Sequence, residues 1–334
     1  MKNALIFGLT GQDGAYLSEF LLEKGYNVSG TFRRTSHKCF ERLDEMDTTY
    51  KINRIKADLS DSSSINAAIK QSQPDEVYNL AAQSFVGASF QQPILTSDIT
   101  GIGTLRILDS LREHAPNAKF YQASSSEMFG NYTGIHDEKS RFEPRSPYGV
   151  AKVFSHHMTN HYREAYDIFA CCGILFNHES PLRGIEFVTR KITYNLALVK
   201  YGKIKKFSLG NIKAKRDWGF AKDYVEAMWL MLQQKEPDNY VIATGESHSV
   251  EEFLNLAVEY AEMGDWHDFI EISEKDMRPT DIDELIGNAS HAKEKLNWES
   301  KTSFKELVKL MVDHDLNMIK LGMDPLNDKI HTTD

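Results

Sequence analysis

Asn3-Ala-Leu-Ile-Phe-Gly8-Leu-Thr-Gly11-Gln-Asp-Gly14 is a run of strand character that passes directly into three glycines spaced by three. Glycines at this spacing let the backbone turn tightly and bring a helix N-terminus to the turn. Unpaired N–H groups and the helix dipole there attract a pyrophosphate. At the head of an alternating pattern, a strand, a glycine turn and a helix form the fingerprint of a dinucleotide site. Gly8, Thr10, Gly11, Gln12, Asp13 and Gly14 are therefore expected to bind a cofactor.

Outward from that turn, β-rich runs at 3–7, 27–32, 53–57, 76–81, 119–123 and 169–176 alternate with helical patterns. The alternation predicts an α/β fold with a doubly wound parallel Rossmann sheet, its ligands lying beyond the carboxyl ends of the strands. After Phe176 the pattern loosens into helices near 187–201, 221–234, 249–263 and 303–321, with short strands near 206–209 and 240–243. A smaller, interleaved α/β substrate-binding domain is expected there. The division is 1–176 for the dinucleotide domain and 177–334 mainly for the substrate, with some later segments packing back on the first. Neither a Gly/Ser linker nor an internal repeat separates the two.

Among 334 residues the formal charge is -9, which argues against a nucleic-acid partner, since such proteins usually carry a basic face. The start of the chain leaves no room for a signal peptide ahead of the first strand, and no apolar run reaches membrane-spanning length. A cytoplasmic protein with no membrane partner is expected. Cys39, Cys171 and Cys172 make neither a metal-binding spacing nor a paired framework, and the adjacent pair in an apolar strand reads as core. No metal site is expected. His156 and His157 read as helix surface or a subunit contact, and Trp218, Trp229 and Met231 as packing.

Ser146-Pro-Tyr148-Gly-Val-Ala-Lys152 carries the chemistry. Helix positions i and i+4 share a face, so the Lys152 ammonium is expected beside the Tyr148 phenol, favouring its phenolate and making the pair an acid/base. The second strand ends in Arg33-Arg34, two guanidinium groups suited to a ribose 2′-phosphate, so the expected cofactor is NADP. Asp58-Leu59, after the third strand, has the place and polarity to receive the adenine amino group, although Asp58 equally suits a helix N-cap. The small residues of Leu80-Ala81-Ala82-Gln83-Ser84 would let the backbone approach the cofactor closely.

With these residues in place, the sequence resembles the extended short-chain dehydrogenase/reductase family, and within it the GDP-mannose 4,6-dehydratases. Nearly the whole chain carries the resemblance. Specific to the subfamily are the glycine run itself, Tyr121-Gln-Ala-Ser-Ser-Ser-Glu-Met-Phe-Gly130, Phe176-Asn-His-Glu-Ser-Pro181, Phe187-Val-Thr-Arg-Lys-Ile192, Arg216-Asp-Trp-Gly219 and Arg278-Pro279.

The resemblance implies oxidation of a GDP-sugar at C4 by tightly bound NADP, loss of water across C5 and C6, and return of the hydride to C6. GDP-mannose would become GDP-4-keto-6-deoxymannose. Tyr148 would take the C4 hydroxyl proton, and Lys152 would steady it and hold the nicotinamide ribose. Glu127 would serve at C5 and C6, with Ser125 beside it where the family usually has threonine; Ser124 and Ser126 are nearby alternatives. His178 and Arg183 would approach the cofactor, and Ser84, Asn177, Val188, Lys191, Arg216 and Arg278 the GDP-sugar. Pro181-Leu182-Arg183 departs from the usual Pro-Arg-Arg. The family also implies a homodimer or homotetramer, with 33–40 reaching a neighbouring subunit's cofactor region. A GDP-manno-heptose dehydratase would need the same residues. A GDP-sugar ketoreductase would have no need of Glu127, and a non-catalytic dinucleotide sensor would be free to lose all three of Tyr148, Lys152 and Glu127.

Overall fold

In the computed structural model, which describes residues 1–36 and 38–325, seven strands form one parallel sheet. They are β1 (Asn3–Phe7), β2 (Asn27–Phe32), β3 (Asn53–Lys56), β4 (Glu76–Asn79), β5 (Lys119–Ser125), β6 (Ala170–Leu175) and β7 (Asn239–Ile242). Their order across the sheet is β7-β6-β5-β4-β1-β2-β3. The order reverses beside β1, so a crevice opens at the carboxyl ends of β1 and β4, the usual ligand position in such a sheet.

Helices cover both faces, which is why the central strands read as apolar runs and not as alternating patterns. On one face Leu17 and Leu21 of helix Gln12–Glu23 pack with Tyr224, Met228 and Met231 of helix Ala221–Leu232. On the other, Ile65, Ile69, Ile107, Leu108, Leu111 and Tyr162 close over β1, β4 and β5. Cys171 and Cys172 are fully buried in β6 as expected, and so is Met231, with Trp218 nearly so.

A second core, with Ile192, Leu196, Trp218, Phe253, Leu254, Leu307 and Met311, joins helices Val188–Lys200, Val250–Tyr260 and Phe304–Lys320. The last two begin with reciprocal caps, Ser249 with Glu252 and Ser303 with Glu306, which satisfy helix N–H groups that would otherwise lack partners. The halves exchange strands. Residues 239–242 supply β7 to the large sheet, and Ile135–His136 from the first half pairs with Glu284–Gly287 in a mixed four-stranded sheet.

Helix Pro147–Tyr166 starts where the sequence marks it. The Ser146 hydroxyl accepts the Gly149 N–H at 3.0 Å, and Pro147 occupies the first turn, where its missing N–H costs nothing. The helix lies along β5 and β6, so its inward face at 148, 152, 155 and 156 is buried. His156 is thus a core residue, 4% exposed, and the expectation of a surface position holds only for His157. Ser124 Oγ lies 3.0 Å from His156 Nδ1. Burial pushes the imidazole pKa down to about 3, so the ring is neutral.

Candidate active site

The glycine turn is shaped by close approach. Gly8 adopts φ +91°, and a Cβ there would sit 2.8 Å from the backbone nitrogen of Ala81. A Cβ on Gly14 would lie 2.4 Å from the Gly8 carbonyl oxygen, so the first helical turn packs directly onto the strand end. Gly11, the N-cap of helix Gln12–Glu23, has no side-chain cap, and its own Cβ position is roomy. The helix N-terminus therefore presents backbone N–H groups to a cleft of about 670 Å³, the cradle that a dinucleotide pyrophosphate requires.

Tyr148, Lys152, Ser125 and Glu127 line that same cleft. Ser125 ends β5 and caps the short turn Ser126–Met128, its Oγ accepting the Glu127 N–H at 3.2 Å. The Ser125 hydroxyl also favours the ionised form of the Tyr148 phenol. Lys152 Nζ donates to the Ala123 carbonyl at 2.6 Å and lies 5.6 Å from the centre of the Tyr148 ring. Burial drives the Tyr148 pKa upward, and the same burial lowers Lys152 to about 8, against the pull of Asp13. Ser125 and Arg183 ease Tyr148 toward ionisation, while the Glu127 carboxylate opposes it.

Beyond β6, the strand Asn177–Glu179 pairs with Trp218–Phe220 and carries Asn177 and His178 to the cleft. His178 Nδ1 lies 2.8 Å from the Phe176 carbonyl oxygen, and Nε2 lies 2.8 Å from Asp13 Oδ2. Its ring stacks on Tyr224 at 4.8 Å. Burial opposes protonation of His178, yet the Asp13 carboxylate outweighs it and raises the pKa, while Asp13 itself is lowered in return. Gln12 joins the same corner, donating to the His178 carbonyl at 3.0 Å and accepting from Ser180 Oγ at 2.7 Å. Arg183 stacks its guanidinium on Phe187 at 3.7 Å and stands 3.1 Å from Glu179 Oε2.

Across the cleft, the cations suited to a diphosphate each face a carboxylate. Lys191 Nζ is 3.1 Å from Asp276 Oδ1, and Arg216 Nη2 is 3.1 Å from Asp281 Oδ1. Arg278 Nη1 stands 3.7 Å from both Asp281 and Glu127. Val188 opens helix Val188–Lys200, whose N-cap Phe187 provides no side-chain cap, so a second helix N-terminus points into the cleft with Lys191 in its first turn.

Gly8, Gly11, Gln12, Asp13, Gly14, Leu80, Ala82, Ser84, Asn177, His178, Arg183, Val188, Lys191, Arg216 and Arg278 thus gather around Tyr148. Thr10, Arg33, Arg34, Asp58, Leu59, Ala81 and Gln83 stand outside the lining of the cleft. Arg33 and Arg34 are exposed just past β2, with Arg33 in the electrostatic field of Asp58. Asp58 is no helix cap: it accepts the Ser60 N–H and hydroxyl within a turn, and Asp61 caps the helix. Leu59 turns its side chain into the core, and the Gln83 amide is engaged with Phe85 and Thr96. Among the described residues no cluster of His, Cys, Asp and Glu could hold a metal ion. Residues absent from the sequence analysis include Asp276 and Asp281, the counter-charges of the cleft, whose signal was their acidic character beside Arg278. Arg42 is another, and its partners are backbone atoms that no motif reveals.

A family model described as GDP-mannose 4,6 dehydratase matches residues 5–311. The chain is 52% identical to GDP-mannose 4,6 dehydratase 1 of Arabidopsis thaliana, over 96% of this chain and 91% of that one. Among solved structures it is similar to the UDP-glucose 4-epimerase of Thermotoga maritima with UDP-glucose, at a TM-score of 0.84 and 23% identity over 95% of this chain and 99% of that one. The UDP-glucose 4-epimerase of Thermus thermophilus, in complex with NAD, gives a TM-score of 0.82 at 23% identity over 93% and 98% of the two chains. The two structural likenesses bear on the fold.

Proposed function

The chain belongs to the GDP-mannose 4,6-dehydratase family, and from that premise we propose how its residues convert GDP-mannose into GDP-4-keto-6-deoxymannose and water. The assignment of roles rests above all on Glu127, a carboxylate tied through Ser125 to the neighbourhood of Tyr148 in the one cleft. A plain sugar dehydrogenase has no use for an acid there.

Residues 1–176 would chiefly hold a nicotinamide dinucleotide, and 177–334 the nucleotide sugar, with β7 returned to the first. The cradle left by Gly8, Gly11 and Gly14 suits a pyrophosphate, and the paired guanidinium groups of Arg33 and Arg34 favour NADP over NAD. Asp58 and Leu59 would meet adenine, and the backbone of 80–84 would flank the cofactor. Bound NADP supplies the hydride acceptor at C4 and the donor at C6, so net redox is zero.

Tyr148 receives the C4 hydroxyl proton, helped by Ser125 Oγ. Lys152 orients the nicotinamide ribose. A C4 ketone acidifies the C5 hydrogen, which Glu127 removes as a proton. The same carboxyl group then protonates the departing C6 hydroxyl, and a proton returning to C5 as hydride reaches C6 balances the one Tyr148 received from the C4 hydroxyl. Lys191, Arg216 and Arg278 oppose the diphosphate charge, with Asn177, Val188 and Ser84 flanking the nucleotide sugar.

A homodimer or homotetramer is proposed as the working form. Val150 and Phe154 leave apolar surface exposed on the catalytic helix, and Phe154 lies against Gly101 of the neighbouring helical segment, beside exposed Ile102. Among the described residues no helix is long and apolar enough to cross a membrane, and a cytoplasmic location is proposed. The test is incubation of the purified protein with GDP-mannose labelled with deuterium at C4. Loss of water together with deuterium at C6 is the expected result, and label passing to a free cofactor pool contradicts internal transfer.

A further inference from the structure

Three successive carbonyls, those of Pro181, Leu182 and Arg183, each accept a hydrogen bond from a guanidinium. Arg190 Nη1 donates to Pro181 and, at 3.2 Å, to Arg183, while Arg42 Nε donates to Leu182 at 2.6 Å. Arg190 is itself fixed, 5% exposed, with Nε 2.8 Å from both oxygens of the fully buried Asp315 on the C-terminal helix. The turn that delivers Arg183 to the cleft is therefore pinned at each of these backbone acceptors.

Arg42 also reaches the glycine-rich turn, behind the lining of the cleft. Its Nη1 donates to the Thr10 carbonyl at 3.1 Å, within the glycine-rich turn. Burial lowers the pKa of this guanidinium from its ordinary value, with Glu186 the main opposing charge. A guanidinium presents several donors in one rigid plane, so it can span two carbonyls at a fixed separation. An ammonium is a point donor on a flexible stem. Leu182, buried at the position where the family has arginine, sends its carbonyl to Arg42 while its side chain joins the core.

We propose that Arg42 is a positioning residue for the cofactor: by bonding Thr10 and Leu182 together it fixes the spacing between the glycine turn and the Arg183 turn, and so sets how tightly the dinucleotide is held. This rests on the cleft being the NADP site. Arg42 touches neither the sugar side of the cleft nor the cations assigned to the diphosphate, so GDP binding is independent of it.

The test uses the full chain freed of nucleotide, with NADP and GDP affinities measured separately by calorimetry for wild type, Arg42→Lys and Arg42→Met. Thermal unfolding without ligand provides the stability control. Both variants should bind NADP at least about 10-fold more weakly, the loss expected for charge-assisted bonds. GDP affinity should stay within about twofold, well inside the effect of one lost bond. Arg42→Lys keeps charge and bulk, so it reports on bridging even if Arg42→Met unfolds. NADP affinity unchanged in Arg42→Lys, or NADP and GDP weakened equally, overturns the inference. Wild type that binds GDP but not NADP overturns instead the cofactor assignment on which it rests.

Discussion

Ser125 Oγ accepts the backbone N–H of Glu127 at 3.2 Å, so a group that eases Tyr148 toward ionisation also fixes the turn carrying the carboxylate. Oxidation and elimination share one hinge of structure. Ser125→Ala should lower turnover by about 10-fold or more, because both contacts end together. Ser125→Thr keeps the oxygen and should retain most activity. Steady-state rates on GDP-mannose compare the two, and an unaffected alanine variant removes Ser125 from the mechanism.

Glu127→Gln keeps the shape of the side chain but cannot accept the C5 proton. The first hydride transfer should proceed and elimination should stop. Nicotinamide absorbance should then rise and persist, with little 6-deoxy product and no solvent deuterium entering at C5. Efficient dehydration by this variant would leave Ser125 or another group as the acid/base.

Tyr148→Phe removes the phenolic oxygen and should reduce turnover by about 10²-fold with cofactor affinity nearly unchanged. Lys152→Ala should impair turnover and cofactor retention together. The buried Lys152 has its pKa lowered to about 8, below the ordinary 10.5. Without ligands the folded protein therefore releases this proton before the unfolded chain does, and between about pH 8 and 10.5 this residue makes folding more favourable as pH rises. Lys152→Met should abolish that component, and a urea titration series in this range, compared with wild type, measures it.

Replacing Arg33 and Arg34 together should weaken NADP more than NAD, by about 2 kcal/mol if both meet the 2′-phosphate. Equal weakening of the two nucleotides in binding titrations would show that neither arginine reads that group.

His314 lies 2.8 Å from Glu45 Oε1 and 3.3 Å from Asp315 Oδ1. Burial opposes its protonation, but the two carboxylates prevail and raise its pKa to about 9, from an ordinary 6.5. The raised pKa gives stability that is full below about pH 6.5 and fades as pH climbs through about 9. His314→Gln should flatten this decline, which unfolding midpoints across that range would reveal.

The strands were legible because both faces of the sheet are covered, so β1 and β6 read as unbroken apolar runs ending at glycine or cleft residues. Tyr148 and Lys152 were legible because helix periodicity places them on one face without help from distant chain, whereas Ser125 came only from the family resemblance. Spacing reports which groups are near and says nothing of how burial weighs on each, as it does in raising the Tyr148 pKa. His156 was misplaced because the helix carries a polar residue on its inward face, satisfied there by Ser124. Arg42 was hidden because its acceptors are backbone oxygens 32 and 140 positions away, an arrangement that leaves no trace in local pattern.

The exchange of β7 into the large sheet bears on how the chain comes to be folded during synthesis. Until residues 239–242 have emerged, β6 is the sheet's open margin, a run of Ala-Cys-Cys-Gly-Ile-Leu with unpaired backbone groups and no charge to discourage another chain from docking. A nascent or truncated product ending near residue 176 would expose that margin indefinitely, whereas the full chain seals it from its own later half. Fragments cut at the apparent boundary should accumulate as aggregates, whereas the full chain should remain soluble.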